Sequence, residues 1–251
     1  FEQWEQDVLP LAHQKPGWVF GILVGLSSPL LHSVGQPSGC GFNLTGRSST
    51  GKTVALAAMA NVWGEPTAAG CLKSFNTTIN AIEGLAEGHS DIGLTLDEMK
   101  KADPKVIRDA VYMLANGRGK ERMKSNSDML RQRNWRVNTL VSSEKTIEDI
   151  FDAEGEHQAA GQVLRFIDVS SETLLPDLPL DDVNQFGRAL LKCYGVAGPE
   201  LVRRLIAMPH GDAVKMLNKA TKGLYAGHDN RIERVAASFA LLIVAGEIMG
   251  I

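Results

Sequence analysis

The chain of 251 residues carries 26 Lys and Arg against 29 Asp and Glu, for a net charge of −3, with 44% hydrophobic and 22% charged residues. That balance excludes a disordered chain, a collagen-like chain, a disulfide scaffold and a uniformly basic nucleic-acid coat. The length is ample for a buried core, and any polyanion site must come from local clustering of charge.

Taken in chain order, residues 1–34 read as helical, broken at Leu9-Pro10 and Pro16-Gly17. A polar loop at 35–39 leads into a short strand, 41–45. A glycine-rich loop and an Ala-rich helix over 52–63 follow. A second strand is expected at 71–75, with Thr77 and Thr78 placed to cap a helix over 79–87. The continuous apolar run 92–97 predicts a strand buried on both faces. Asp103-Pro104 starts a helix and Gly117 ends it. Residues 120–133 read as a hairpin turning at Ser125-Asn126-Ser127-Asp128. Strands are expected at 136–141 and 163–169. Beyond Leu180 only helices are expected, starting near Asp181, Gly198-Pro199 and Asp229-Asn230. Alternating strands and helices predict an α/β fold, a parallel five-stranded sheet flanked by helices. The expected organisation is a helical segment over 1–34, an α/β core over 35–176 with a hairpin insertion near 117–134, and a helical subdomain over 177–251.

Three cysteines, Cys40, Cys71 and Cys193, are widely spaced without a CxxC pair, so a reducing cytoplasm is expected. The start at Phe1 has no basic signal region and no Met, which reads as a piece of a longer protein. The apolar stretches 18–31 and 236–246 are too short or too interrupted to span a bilayer, so no membrane partner is expected. The six histidines have no ligand spacing, and the methionines read as core.

Chemistry concentrates in Gly46-Arg47-Ser48-Ser49-Thr50-Gly51-Lys52-Thr53, which matches G-x-x-x-x-G-K-[ST] between a strand and a helix. Glycines let the backbone fold around an anion, and the helix N-terminus points its amides at phosphate. Lys52 then reaches the β- and γ-phosphates of ATP, and Thr53 offers its hydroxyl to Mg²⁺. Some forty residues on, Leu94-Thr95-Leu96-Asp97-Glu98 ends a strand with two carboxylates. Asp97 is the expected Mg²⁺ ligand and Glu98 the general base that polarises water.

The loop GRSSTGKT, the strand IGLTLDE and the runs VYMLANGRGKER and AAGQVLRFID together resemble the bacterial and phage family catalogued as domain of unknown function 927. That family is similar to AAA+ ATPases of the minichromosome-maintenance (MCM) helicase type. The resemblance implies an AAA+ P-loop NTPase core with a C-terminal helical lid. It implies a polar sensor at the end of the fourth strand, here Ser143 or Ser142, in place of the usual Asn or Thr. It further implies that Arg165, in Arg165-Phe166-Ile167-Asp168, is an arginine finger, although one residue is inserted before Asp168 relative to the usual run. A finger acts on a neighbouring subunit, so a hexameric ring is implied. A structural ion pair is the competing reading of Arg165. Arg231 and Arg234 share a helix face, and the resemblance makes Arg234 a second sensor of the γ-phosphate, with a solvated helix start as the competing reading.

Between Gly117 and Arg136 seven cations stand against Glu121 and Asp128, a local charge of +5. MCM-like helicases carry a DNA-gripping hairpin at this position. Lys124 near the turn is the leading expected contact to DNA phosphate, supported by Lys120 and Arg122. The expected function is an ATP-hydrolysing DNA helicase or translocase motor, acting on single- or double-stranded DNA in replication of a mobile element or phage, with primase or other replication proteins as partners. A protein-remodelling or loader ATPase, and a nucleotide-dependent DNA-binding scaffold, are the alternatives.

Overall fold

The computed structural model describes residues 1–121, 131–152, 165–176 and 179–251. Five strands, β1 (Gly41–Thr45), β2 (Leu72–Ser74), β3 (Leu94–Asp97), β4 (Thr139–Ser143) and β5 (Phe166–Ser170), form one sheet in the order β2-β3-β4-β1-β5. Every pairing is parallel. Side chains alternate across such a sheet, so its two faces feed two cores. Phe42, Leu44 and Leu140 join one apolar cluster, with the N-terminal and C-terminal helices. Leu94, Leu96, Val141 and Phe166 join the other, under the helices Ile79–Gly88 and Pro104–Asn116.

Local signals act as expected. Thr78 Oγ1 accepts from the Ala81 amide at 3.3 Å and Asp103 Oδ1 from the Lys105 amide at 2.8 Å. Gly117 closes its helix at φ 66°. The helix Pro16–Ser33 lies against Lys52–Asn61, the helix that follows the glycine-rich loop. Gly21 and Gly25 permit this approach. A Cβ on Gly21 would lie 2.2 Å from the Ala55 carbonyl oxygen, and one on Gly25 would lie 2.9 Å from that of Met59.

The C-terminal helices Leu180–Lys192, Ala197–Ala207, Asp212–Leu224 and Asn230–Met249 do not close a core of their own among the described residues. Phe186, Leu190, Leu201, Leu217 and Leu242 belong to the same cluster as Trp4, Trp18 and Phe42. Trp18 and Phe186 stack at 4.2 Å, a contact worth about 1 kcal/mol beyond its burial. Fully buried Asn61 ties three regions together. Its Oδ1 accepts from Trp4 Nε1 at 2.7 Å, and its Nδ2 donates to the carbonyls of Leu190 at 2.7 Å and Cys193 at 2.8 Å.

Several strand boundaries differ from expectation, most of all that of β4. β4 begins at Thr139 rather than at residue 136. Arg136 is held sideways by a bidentate pair with Asp91, at 2.7 and 2.9 Å. Asn138 turns its side chain to Ser27 and to the Cys40 amide. At the base of the expected hairpin, Arg118 and Asn134 form an antiparallel bridge, and the Trp135 amide donates to the Gly117 carbonyl at 3.0 Å. The turn at 125–128 lies outside the described residues. The three cysteines are free, and none of the described helices is long and apolar enough to cross a membrane.

Candidate active site

The glycine-rich loop leaves β1 at the C-terminal edge of the sheet. Gly46, Ser49 and Gly51 all have positive φ, at 144°, 63° and 81°. This backbone turns successive N–H groups toward one side, the concave nest that anions occupy. The loop forms one wall of a cavity of about 590 Å³, lined by residues 48–53 with Asp97, Glu98, Lys100, Ser142, Ser143, Glu144, Leu180 and Val183.

The strand order explains the gathering. β4 lies between β1 and β3, so its end separates the phosphate loop from the acids. Thr45 pairs with Ser143, and Leu96 with Val141, which sets Ser142 beside Asp97. Ser142 Oγ donates to Asp97 Oδ1. Asp97 Oδ1 also accepts the Glu98 amide at 2.9 Å. Glu98 is a non-glycine residue in left-handed backbone, φ 63° and ψ 44°, a conformation that costs about 1–3 kcal/mol and persists where surroundings enforce it. Its carboxylate pairs with Lys101 Nζ at 2.5 Å. Ser143 turns its hydroxyl to its own loop, donating to the Lys145 carbonyl and accepting the Lys145 amide at 2.9 Å. Of the two serines, only Ser142 is hydrogen-bonded to the acidic pair.

Lys52 is largely buried and folded onto its own loop. Its Nζ donates to the carbonyl oxygens of Gly46 at 2.8 Å and Arg47 at 2.5 Å. Burial pushes its ammonium below the ordinary lysine value, while the nearby charges of Glu144 and Asp97 oppose the shift. Thr50 Oγ1 meets Ser171 Oγ at 3.0 Å, which ties the loop to the segment after β5. Arg47 points to solvent, 3.8 Å from Glu172.

Two charged residues here were not anticipated. Lys100 follows the acidic pair, and Glu144 follows the two serines. Glu144 Oε1 accepts from Lys100 Nζ at 2.6 Å and from Ser48 Oγ. Lys100, then Ser48, hold the Glu144 carboxyl below the usual carboxylate range. Neither residue belongs to a recognisable spacing, so only the fold brings them together.

Among the described residues no cluster of three His, Cys, Asp or Glu forms a metal site. Thr53 and Asp97 nevertheless line one cavity with the phosphate loop. A hydroxyl and one carboxylate, completed by phosphate oxygens and water, suit the hard, oxygen-seeking Mg²⁺ ion.

The remaining expected site residues lie elsewhere. Arg165 stands before β5, its carbonyl accepting the Gly41 amide at 2.7 Å, at the N-terminal edge of the sheet. Four residue steps of strand, about 13 Å, separate that edge from the phosphate loop. Arg165 donates to the Ala115 carbonyl at 3.3 Å and has no ion pair among the described residues. It shares a cavity of about 330 Å³ with Arg234, Cys40 and Ser238, and a larger one of about 830 Å³ with Arg118 and Arg136. Arg234 therefore does not line the cavity of its own chain's phosphate loop. Arg231 pairs with Asp229 at 2.9 Å. Lys120 pairs with Asp109 at 2.8 Å, and Arg122 and Lys124 lie outside the described residues.

The parallel sheet and its loop are consistent with a P-loop-like NTPase fold. The family model described as "Domain of unknown function (DUF927)" matches residues 1–135, more than half of the chain, and the chain belongs to that family. A solved structure described as "SCCmec type IV Cch - active helicase" is similar over 100% of this chain with a TM-score of 0.74 and 24% identity. The chain spans 46% of that structure's length. No curated protein matches it.

Proposed function

We propose that this chain is the AAA+ ATPase module of a DNA helicase or translocase. The observation that carries the reading is the division of its chemistry between the two edges of one sheet. The C-terminal edge gathers Lys52, Thr53, Asp97, Glu98 and Ser142, and Arg165 and Arg234 open on the opposite edge. The similarity of the whole chain to part of a structure described as an active helicase points the same way.

In this reading the backbone amides of residues 46–53 and the Lys52 ammonium bind the phosphates of ATP. To do so Lys52 exchanges the Gly46 and Arg47 carbonyls for phosphate oxygens. Thr53 and Asp97 hold Mg²⁺, which supplies charge neutralisation at the β- and γ-phosphates when bound. Glu98 accepts a proton from the attacking water, and Ser142 orients Asp97. Arg165 and Arg234 act on the nucleotide of an adjoining subunit, which requires a ring. The basic segment 117–136, with Lys120, Arg122 and Lys124, follows the nucleotide state along the DNA backbone.

Steady-state ATP turnover with and without single-stranded DNA at low salt tests this, with Glu98→Gln as the blank. Several-fold stimulation by DNA, absent in the blank, is the expected result. Turnover indifferent to DNA supports a protein-remodelling ATPase instead. ATP binding without turnover supports a scaffold.

A further inference from the structure

The phosphate cavity holds more charge than the proposed reaction uses. Lys100 and Glu144 are paired on its wall, and both contact the phosphate loop itself. Glu144 accepts from Ser48 Oγ, and Lys100 Nζ lies 3.5 Å from that same oxygen. Their side chains are half-exposed, 51% and 41%, so burial does not force the pair together. A solvated pair of this kind contributes little to folding. Its position is what matters: a carboxylate stands on the loop that has to wrap an anion.

Ser48 has one O–H to donate, so two anions cannot both hold it, and two anions around the Lys100 ammonium repel each other. A triphosphate entering the loop competes with Glu144 for Ser48 and for the Lys100 ammonium, and it repels the carboxylate. Glu144 can yield, since among the described residues its hydrogen-bond partners are those two groups and it already faces solvent. Lys100 can stay, because the turn Met99–Lys101 fixes its backbone beside the acids.

We infer that Lys100 is a second phosphate-binding cation of this site, and that Glu144 is the counter-ion it releases when a nucleoside triphosphate binds. The inference rests on the ATP-site reading above and names residues that reading does not use. Lys100 lies two positions from Glu98, on the turn that begins at that strained residue. Its change of partner is therefore felt at the general base, and occupancy of the γ-position is coupled to the geometry of Glu98.

Equilibrium binding of ATP and of ADP, each with Mg²⁺ at low salt, tests the assignment in the full chain. Losing one charge-assisted contact, Lys100→Gln weakens ATP about tenfold and ADP less, while Lys100→Arg retains most of the affinity. Glu144→Gln removes the competitor and tightens ATP several-fold. Effects of opposite sign for the two partners of one ion pair are not expected of a mere structural contact. The assignment is overturned if both variants weaken binding alike, or if neither changes it while Lys52→Ala abolishes it. Nucleotide binding that survives Lys52→Ala, or is absent from the unaltered chain, overturns the ATP-site reading itself and the assignment with it.

Discussion

The two edges of the sheet are built on opposite electrostatic principles. At the C-terminal edge nearly every charged side chain has found a partner within the chain: Lys52 on loop carbonyls, Lys100 on Glu144, Lys101 on Glu98. At the N-terminal edge Arg118, Arg165 and Arg234 have no ion pair among the described residues, although Arg136 is held by Asp91. The first edge satisfies its charges within the chain. The second keeps guanidinium charge available, which is what a surface awaiting an external anion requires. Among the described residues, the cavities at that edge are lined by no acidic residue.

Experiments can break this contrast. The largest effect is expected at Arg165. If it serves a neighbour's nucleotide, Arg165→Ala lowers kcat by about 10³-fold or more while leaving ATP binding in place. Mixing it with Glu98→Gln subunits then restores turnover, because each variant supplies what the other lacks. A mixture as inactive as its components shows that Arg165 does not act in trans. Next comes Glu98→Gln alone, expected to cost about 10²- to 10⁴-fold in turnover, with ATP retained in filter binding.

Smaller effects sharpen the mechanical side of the comparison. Asn61→Leu leaves the Trp4 indole, the buried Leu190 carbonyl and the half-buried Cys193 carbonyl without this partner, and should lower unfolding free energy by about 2–4 kcal/mol in urea titration. Asp168 gives the smallest. Burial raises its pKa, against the hydrogen bonds it accepts from Asn43 Nδ2 at 2.6 Å and the Ile147 amide at 3.1 Å. A carboxyl with a raised folded pKa favours the fold most below its unfolded pKa. That contribution is lost as pH rises through the folded value. Asp168→Asn should flatten the change of stability with pH just above the ordinary aspartate range, read from urea midpoints. An unchanged slope removes Asp168 from the titration.

What was legible in the sequence follows the range of the interactions. The turn of the glycine-rich loop into its helix, the Asp103 cap and the Gly117 stop are local devices, and each is where the chain announces it. The acids at the end of β3 were legible because an apolar run must stop where charge begins. Asn61 was not, since an Asn ending an Ala-rich helix looks like any other until Trp4 and Leu190 arrive from either end of the chain. Nor were Lys100 and Glu144, which meet only because β4 inserts between β1 and β3. The helices after Leu180 looked separable in sequence, but their apolar faces are shared with Trp18 and Phe42. Helical periodicity shows that a face is buried, not against what.

The close approach at Gly21 has a consequence for motion. The obstacle to a side chain there is the Ala55 main chain, which no change of rotamer can move aside. Pro16–Ser33 and Lys52–Asn61 are therefore seated backbone against backbone, and the second helix begins at Lys52. Any displacement of the glycine-rich loop leaves these two helices seated as one stiff body. The flexing then falls in the loop, since the far end is tied through Asn61 to Trp4, Leu190 and Cys193.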